Sequence, residues 1–146
     1  MKIVLGADHA GYPLKERVKA HLTEQGREVL DLGTYSTESV DYPDYAAAVG
    51  KAVVANPGDL GILICGTGIG ISIAANKIKG VRAALCTDYA MAKLAREHND
   101  ANILALGGRT TAEAAALDIV DAFLRTAFAG GRHQMRLDKI RNLEAE

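Results

Sequence analysis

Short runs of consecutive apolar residues alternate along the whole chain with stretches whose apolar residues recur at helical spacing. KIVLGA (Lys2–Ala7), EVLDLG (Glu28–Gly33), LGILIC (Leu60–Cys65), VRAALC (Val81–Cys86) and NILALG (Asn102–Gly107) read as strands, the third apolar throughout. Such runs fit strands covered on both faces, as in a parallel sheet. Between them, Pro13 suits a first helical turn, and Leu14, Val18 and Leu22 form an i, i+4 stripe that ends near Gly26. Further helices are expected over Tyr42–Ala55, Ile69–Lys77 and Asp88–His98. TTAE, with Thr110 and Glu113, reads as a capping box ahead of Leu117, Val120, Leu124 and Phe128. A last helix, roughly His133–Leu143, turns Leu137 and Ile140 inward.

This alternation predicts a three-layer, doubly wound α/β domain of the Rossmann-like kind, with about five parallel strands. A chain of 146 residues is the size of one domain, and 1–146 shows no repeat, linker or low-complexity segment. The helix from about residue 133 is the segment best placed to contact a neighbouring subunit. Composition narrows the class further. Hydrophobic residues at 49% and charged residues at 24% exclude wholesale disorder, while 5% aromatics and no Trp disfavour a β-sandwich. A net charge of -1 provides no basic field for nucleic acid, so an anionic ligand must be held by a local cluster. The apolar run in MKIVLGADHAG is too short for a signal peptide or a membrane span, which leads us to expect a soluble, cytoplasmic protein with no membrane partner. Its two cysteines, Cys65 and Cys86, are expected to be unpaired.

In folds of this class ligands sit beyond the carboxyl ends of the strands. The loops there read ADHAGY, CGTGIG, CTDY and GGR, and they collect much of the reactive chemistry of the chain. Three familiar motifs fail here, two of them in CGTGIG. A dinucleotide fingerprint from Gly66 needs Gly at position 71, a Cys-x5-Arg phosphatase loop needs Arg there, and the residue is Ile71. GADHAG has the outer glycines of a phosphate-binding P-loop but continues with Tyr12 and Pro13 in place of Lys and Ser/Thr. What remains is physical. Gly66, Gly68 and Gly70 allow successive N–H groups to point into one concavity, a nest that stabilises oxyanions or a thiolate, with Thr67 and Ser72 adding hydroxyls. From spacing alone, Cys65 is either a small hydrophobe ending a strand or a reactive thiol. Cys86, with no glycine nest, fits the first description.

Other polar residues carry similar alternatives. Asp8 and His9 end the first strand at the ligand edge, where turn hydrogen bonds are the plainer role. His98 and Asn99 end a helix, where a cation is favoured by the dipole. Arg132 and Arg136 lie one helical turn apart with His133 beside them, either as a solvated face or as a clamp on one phosphate. His21, in mid-helix, reads as structural. No Cys or His pair has zinc spacing, and no metal is expected.

ADHAGY, DYPDYA, CGTGIGISIAANK, REHNDANILALGGR and GGRHQMR, in this order over essentially the whole chain, resemble the type B ribose-5-phosphate isomerases. These are sugar-phosphate isomerases whose family includes the allose- and galactose-6-phosphate enzymes. The resemblance implies a sheet of order 2-1-3-5-4, no cofactor, and a homodimer or dimer of dimers with active sites across the dimer interface. Its implied substrate is a small sugar phosphate, ribose 5-phosphate or a six-carbon analogue. The implied chemistry is aldose–ketose isomerisation through ring opening and an enediolate, within the non-oxidative pentose phosphate pathway. A non-catalytic sugar-phosphate sensor on the same fold is the alternative from another class. By position, the resemblance assigns ring opening to His98 beside Asn99, and the C2–C1 proton transfer to Cys65. It gives enediolate stabilisation to the Gly66–Gly70 loop, proton traffic to Thr67, and orientation of hydroxyls to Asp8. His9, Arg132 and Arg136 would hold the phosphate, with Tyr42 and Arg109 near the substrate. One branch of the family carries a glutamate base where Ile71 stands, so this chain aligns with the cysteine branch.

Overall fold

The computed structural model describes residues 1–146. The chain runs β1 (Ile3–Ala7), α1 (Tyr12–Glu24), β2 (Val29–Asp31), α2 (Tyr42–Ala55), β3 (Leu60–Cys65), α3 (Ile69–Ala75), β4 (Ala83–Leu85), α4 (Tyr89–Asn99), β5 (Ile103–Gly107), α5 (Glu113–Arg125) and α6 (Arg132–Glu144). All five strands are parallel, in the order β2-β1-β3-β5-β4. The expected fold class and strand order are therefore both observed.

The central strands divide their side chains between two cores by the period of two that a pleat imposes. Ile3, Leu5, Ile62, Ile64, Leu104 and Leu106 join one core, shared with residues of α1, α4 and α5 such as Val18, Ala92 and Phe123. Val4, Leu63, Cys65, Ile103 and Ala105 join the other, under α2 and α3. Two strand glycines set the spacing of that second layer. A β-carbon on Gly6 would lie 2.6 Å from Val49 Cγ2, and one on Gly61 would lie 2.9 Å from Val49 Cγ1, so α2 packs against bare backbone. No helix is long and apolar enough to cross a membrane.

Several sequence expectations are corrected at the edges of the fold. β2 and β4 are three residues each and only partly buried along much of their length, because they are edge strands covered less completely than β1, β3 and β5. α3 ends at Ala75, two residues short of Lys77. The capping box does not form: α5 is capped by Ala112 without a side-chain bond, and Glu113 instead accepts from Arg17 of α1 at 2.9 Å. Phe128 lies beyond the end of α5, and Phe123 occupies the core in its stead. On α6, Leu137 is buried but Ile140 is 41% exposed, since this helix packs on α4 along a narrow strip. His21 is structural as expected, its Nε2 lying 2.9 Å from Asp121 Oδ1 of α5.

A feature the sequence did not announce is Lys15, whose side chain has no exposed surface. Its ammonium donates to Asp31 Oδ2 at 2.6 Å, and Lys19 reaches the same oxygen at 3.1 Å. Burial by itself would raise the Asp31 carboxyl, but hydrogen bonds from Lys15, the Gly33 N–H and Lys19 outweigh it and hold the group below its ordinary range. A carboxyl depressed in the folded state contributes stability that is present above its unfolded value, roughly 3.9, and is lost as pH falls through the folded one. Asp31→Asn should therefore cost about 3 kcal/mol near neutrality, where it strands a buried ammonium. The gap to the wild type should narrow below about pH 4 in urea unfolding series.

Candidate active site

In a doubly wound sheet the crevice opens where the connections diverge. Here the chain leaves β1 outward to β2 and returns to β3 on the other side, so that point lies between the carboxyl ends of β1 and β3. A cleft of about 400 Å³ occupies it, lined by Asp8, His9, Ala10, Tyr42, Cys65, Gly66, Thr67, Ile69, Gly70 and Arg109. Cys65 is the last residue of β3 and is 5% exposed, so it both completes the α2/α3 core and floors the cleft. The packing role expected of this cysteine is therefore observed, and its sulfur stands at the cleft as well. Its sulfur accepts a hydrogen bond from the Gly68 N–H at 3.1 Å.

The glycines make this turn sterically possible. Gly68 has φ 78°, and a β-carbon there would lie 2.6 Å from Leu85 Cδ1 and 2.9 Å from the Leu106 carbonyl carbon. At Gly70 the obstacle is Tyr42, whose hydroxyl would be 2.8 Å from an added β-carbon, so the tyrosine ring lies directly on the loop. Thr67 is exposed, and its hydroxyl accepts from the Ile69 N–H at 3.2 Å, leaving its own proton free to donate. Ser72 differs from the expectation: its hydroxyl donates to the Ile69 carbonyl at 2.8 Å within α3 and does not line the cleft. From β5, Gly108 N–H donates to the Cys65 carbonyl at 2.8 Å and Arg109 N–H to the Gly66 carbonyl at 2.9 Å, which brings the Arg109 side chain to the cleft. Arg109 makes no ion pair within the chain, so its charge is available to a ligand.

Asp8 is 6% exposed, and its Oδ1 accepts from the Gly11 N–H at 3.0 Å, so the turn role is observed and the second oxygen remains for other partners. His9 Nδ1 accepts from the Val40 N–H at 3.1 Å. In a neutral imidazole this leaves Nε2 as the protonated donor.

His98, Asn99, Arg132 and Arg136 are not brought to this cleft. They line a second, wholly polar cleft of about 400 Å³ together with His133, a residue the sequence showed only as a neighbour of Arg132. The His98 and His133 rings stack with centroids 4.3 Å apart and an interplanar angle of 18°. Slight desolvation together with the like charges of His98, Arg132 and Arg136 lowers the His133 pKa from its usual value. The separation of the two clefts follows from topology. α4 runs back against the strands, and Arg82, just before β4, donates to the carbonyls of Asn99 and Asp100 at 3.2 and 3.0 Å. His98 thus stands at the amino edge of the sheet and Cys65 at the carboxyl edge. The five residues of β5 alone put about 16 Å between the two edges.

Cys86, at the end of β4, is 1% exposed, and burial pushes its thiol up to about 11, with Asp88 adding to the effect. Both cysteines are free.

A small parallel-sheet domain with a thiol, a tight glycine loop and an unpaired arginine at its crevice matches known proteins along nearly its full length. The Ribose/Galactose Isomerase family model covers residues 3–140, and the chain belongs to that family. It is 52% identical over 143 residues to ribose-5-phosphate isomerase B of Escherichia coli, covering 98% of this chain and 96% of that one. The ribose-5-phosphate isomerase B structure from Clostridium thermocellum superposes with a TM-score of 0.98 at 55% identity, covering 99% and 98% of the two chains. That of Mycoplasma genitalium, with bound ribulose-5-phosphate, superposes at 0.95 with 47% identity, covering 99% and 97%.

The two thiols should separate chemically. Under limiting iodoacetamide at neutral pH, mass spectrometry should find Cys65 carboxamidomethylated first and Cys86 protected until the fold is opened. Equal labelling of the two in the folded protein would contradict the environments described here. Gly70→Ala should leave the melting temperature within a few degrees, since its obstacle is one movable ring, whereas Gly68→Ala, with φ 78° and backbone in the way, should lower it markedly.

Proposed function

We propose that this protein is an aldose–ketose isomerase that interconverts ribose 5-phosphate and ribulose 5-phosphate. The observation that carries the reading is the Cys65 sulfur, set at the floor of the crevice and hydrogen-bonded by the Gly68 N–H. A binding protein would use the glycine loop and Arg109, but it has no need of a thiol beside them. The Escherichia coli and Mycoplasma genitalium relatives, one named for this reaction and the other bound to its product, support the same substrate.

The chemistry requires three operations. The furanose ring must open, which moves a proton onto the ring oxygen and frees the C1 aldehyde. A base then takes the C2 proton, giving an enediolate, and returns it to C1 while a proton shifts between the two oxygens. Cys65 serves as the base and Thr67 as the hydroxyl that relays the oxygen-bound proton. Backbone N–H groups of the Gly66–Gly70 loop stabilise the enediolate oxygen, and Asp8 orients the substrate hydroxyls. His98, with Asn99, opens the ring, while His9, Arg132 and Arg136 hold the phosphate.

These groups sit at opposite edges of one sheet, and no side chain spans about 16 Å. A complete site therefore takes the Cys65 cleft from one copy and the His98 cleft from another, which makes the protein a homodimer or a dimer of dimers. In a two-fold dimer both sites form at once.

Purified protein should convert ribose 5-phosphate to ribulose 5-phosphate without added metal, and Cys65→Ala should lower kcat by at least about a hundredfold. If the alanine variant keeps near-normal turnover, the base is another group and Asp8 is the next to test. If neither protein turns over any pentose or hexose phosphate, the sensor reading takes its place. A shared site has its own signature: mixing and reassembling inactive Cys65→Ala and His98→Asn chains should restore about a quarter of wild-type activity, because half of the dimers are mixed and each carries one intact site. No recovery on mixing would place the whole site within one chain.

A further inference from the structure

The loop between β2 and α2, residues 32–41, forms a strap that runs from the end of β1 to His9 at the rim of the crevice, and the Lys15–Asp31 pair sits at its base. Asp31 Oδ1 accepts from the Gly33 N–H at 2.9 Å, and the Tyr35 hydroxyl donates to the Asp31 carbonyl at 2.8 Å. The Lys15 ammonium lies 5.3 Å from the centroid of the Tyr35 ring. At the same place the strap is stitched to the end of β1: Ala7 N–H donates to the Gly33 carbonyl at 2.6 Å and Thr34 N–H to the Ala7 carbonyl at 2.7 Å. Beyond Tyr35 the strap has one local bond, Glu38 N–H to Ser36 Oγ at 3.2 Å, before its far end reaches His9 through the Val40 N–H.

We propose that Lys15 and Asp31 are positioning residues: the buried pair anchors the strap so that Val40 holds His9 with Nε2–H directed at the ligand. The inference rests on the reading of His9 as a phosphate contact. Its physical core is tautomer choice. A free imidazole exchanges its proton between two nitrogens, and only one arrangement presents a donor to an oxyanion. Val40 N–H makes that choice at Nδ1, and Val40 is held between the strap's anchors at Asp31 and Ala7 on one side and the start of α2 at Asp41 on the other. Lys15 touches neither cleft residue nor ligand, so its influence must pass through this chain of contacts.

The decisive variant is the double replacement Lys15→Met/Asp31→Leu in the assembled protein. Exchanging both members of a buried pair for apolar residues commonly leaves a fold intact, whereas removing one partner does not. Tyr35→Phe, at a side chain 67% exposed, is a milder companion that cuts a single anchor without touching the core. Two readouts are needed. In the double variant KM for ribose 5-phosphate should rise about tenfold with kcat within about twofold, the pattern of a lost ground-state contact. Imidazole 15N spectra should show His9 moving from the Nε2–H form in the wild type to a mixture of tautomers, with Tyr35→Phe intermediate in both measurements. The spectrum requires no turnover, so it judges the positioning even if the isomerase reading fails. A folded double variant that keeps His9 wholly in the Nε2–H form, or that loses kcat at unchanged KM, would overturn the proposal and leave Lys15 and Asp31 a purely structural pair.

Discussion

The direction of the chain through the parallel sheet is the constraint on which everything else depends. Each helix must return against the strands, so residues that end a strand and residues that end a helix finish on opposite edges. Cys65 ends β3, and His98 lies in the last turn of α4. Nothing local to either residue can change that, because both faces of β1, β3 and β5 are filled by apolar side chains that hold the helices in place. The division of the polar residues between two clefts is thus a consequence of topology, and a reaction needing both sets requires a second copy.

Within the cysteine cleft the surroundings of the sulfur are made by backbone. α3 has only seven residues, too short for its dipole to dominate, so the directed Gly68 N–H at 3.1 Å from the sulfur matters more than the helix behind it. Cys86 provides an internal contrast. It also follows an apolar strand and is equally free, but it faces the core with no N–H donor at its sulfur, and burial pushes its thiol up to about 11. The two cysteines differ in the turn that follows, and the absence of a side chain at Gly68, with its φ of 78°, is what permits one turn to close on the sulfur.

The buried ion pair of Lys15 and Asp31 shows how stability and site geometry are linked here. Its desolvation cost is offset by the convergence of two ammonium groups and a backbone N–H on one carboxylate. The same residue ends β2 and begins the loop that leads to His9, so the buried pair also anchors one end of that loop.

Much of this protein was legible from its residues. The number and order of the elements, the extents of α2 and β3, and the loops at the carboxyl edge follow from apolar periodicity, which reports burial directly because each strand or helix buries the face its own sequence defines. The motif order also pointed to the family. Relations between elements were not legible. Glu113 left its capping position for Arg17, a partner 96 residues away, and Ile140 stayed exposed because α6 has little to pack against. The burial of Lys15 had no signal in its own helix and follows from β2 placing Asp31 over it. The stacking of His133 on His98, and the distance of both from Cys65, likewise required the packed chain. Local pattern records which face of a segment is buried, whereas the partner it meets depends on the path of the whole backbone, and that is what the tertiary structure decided.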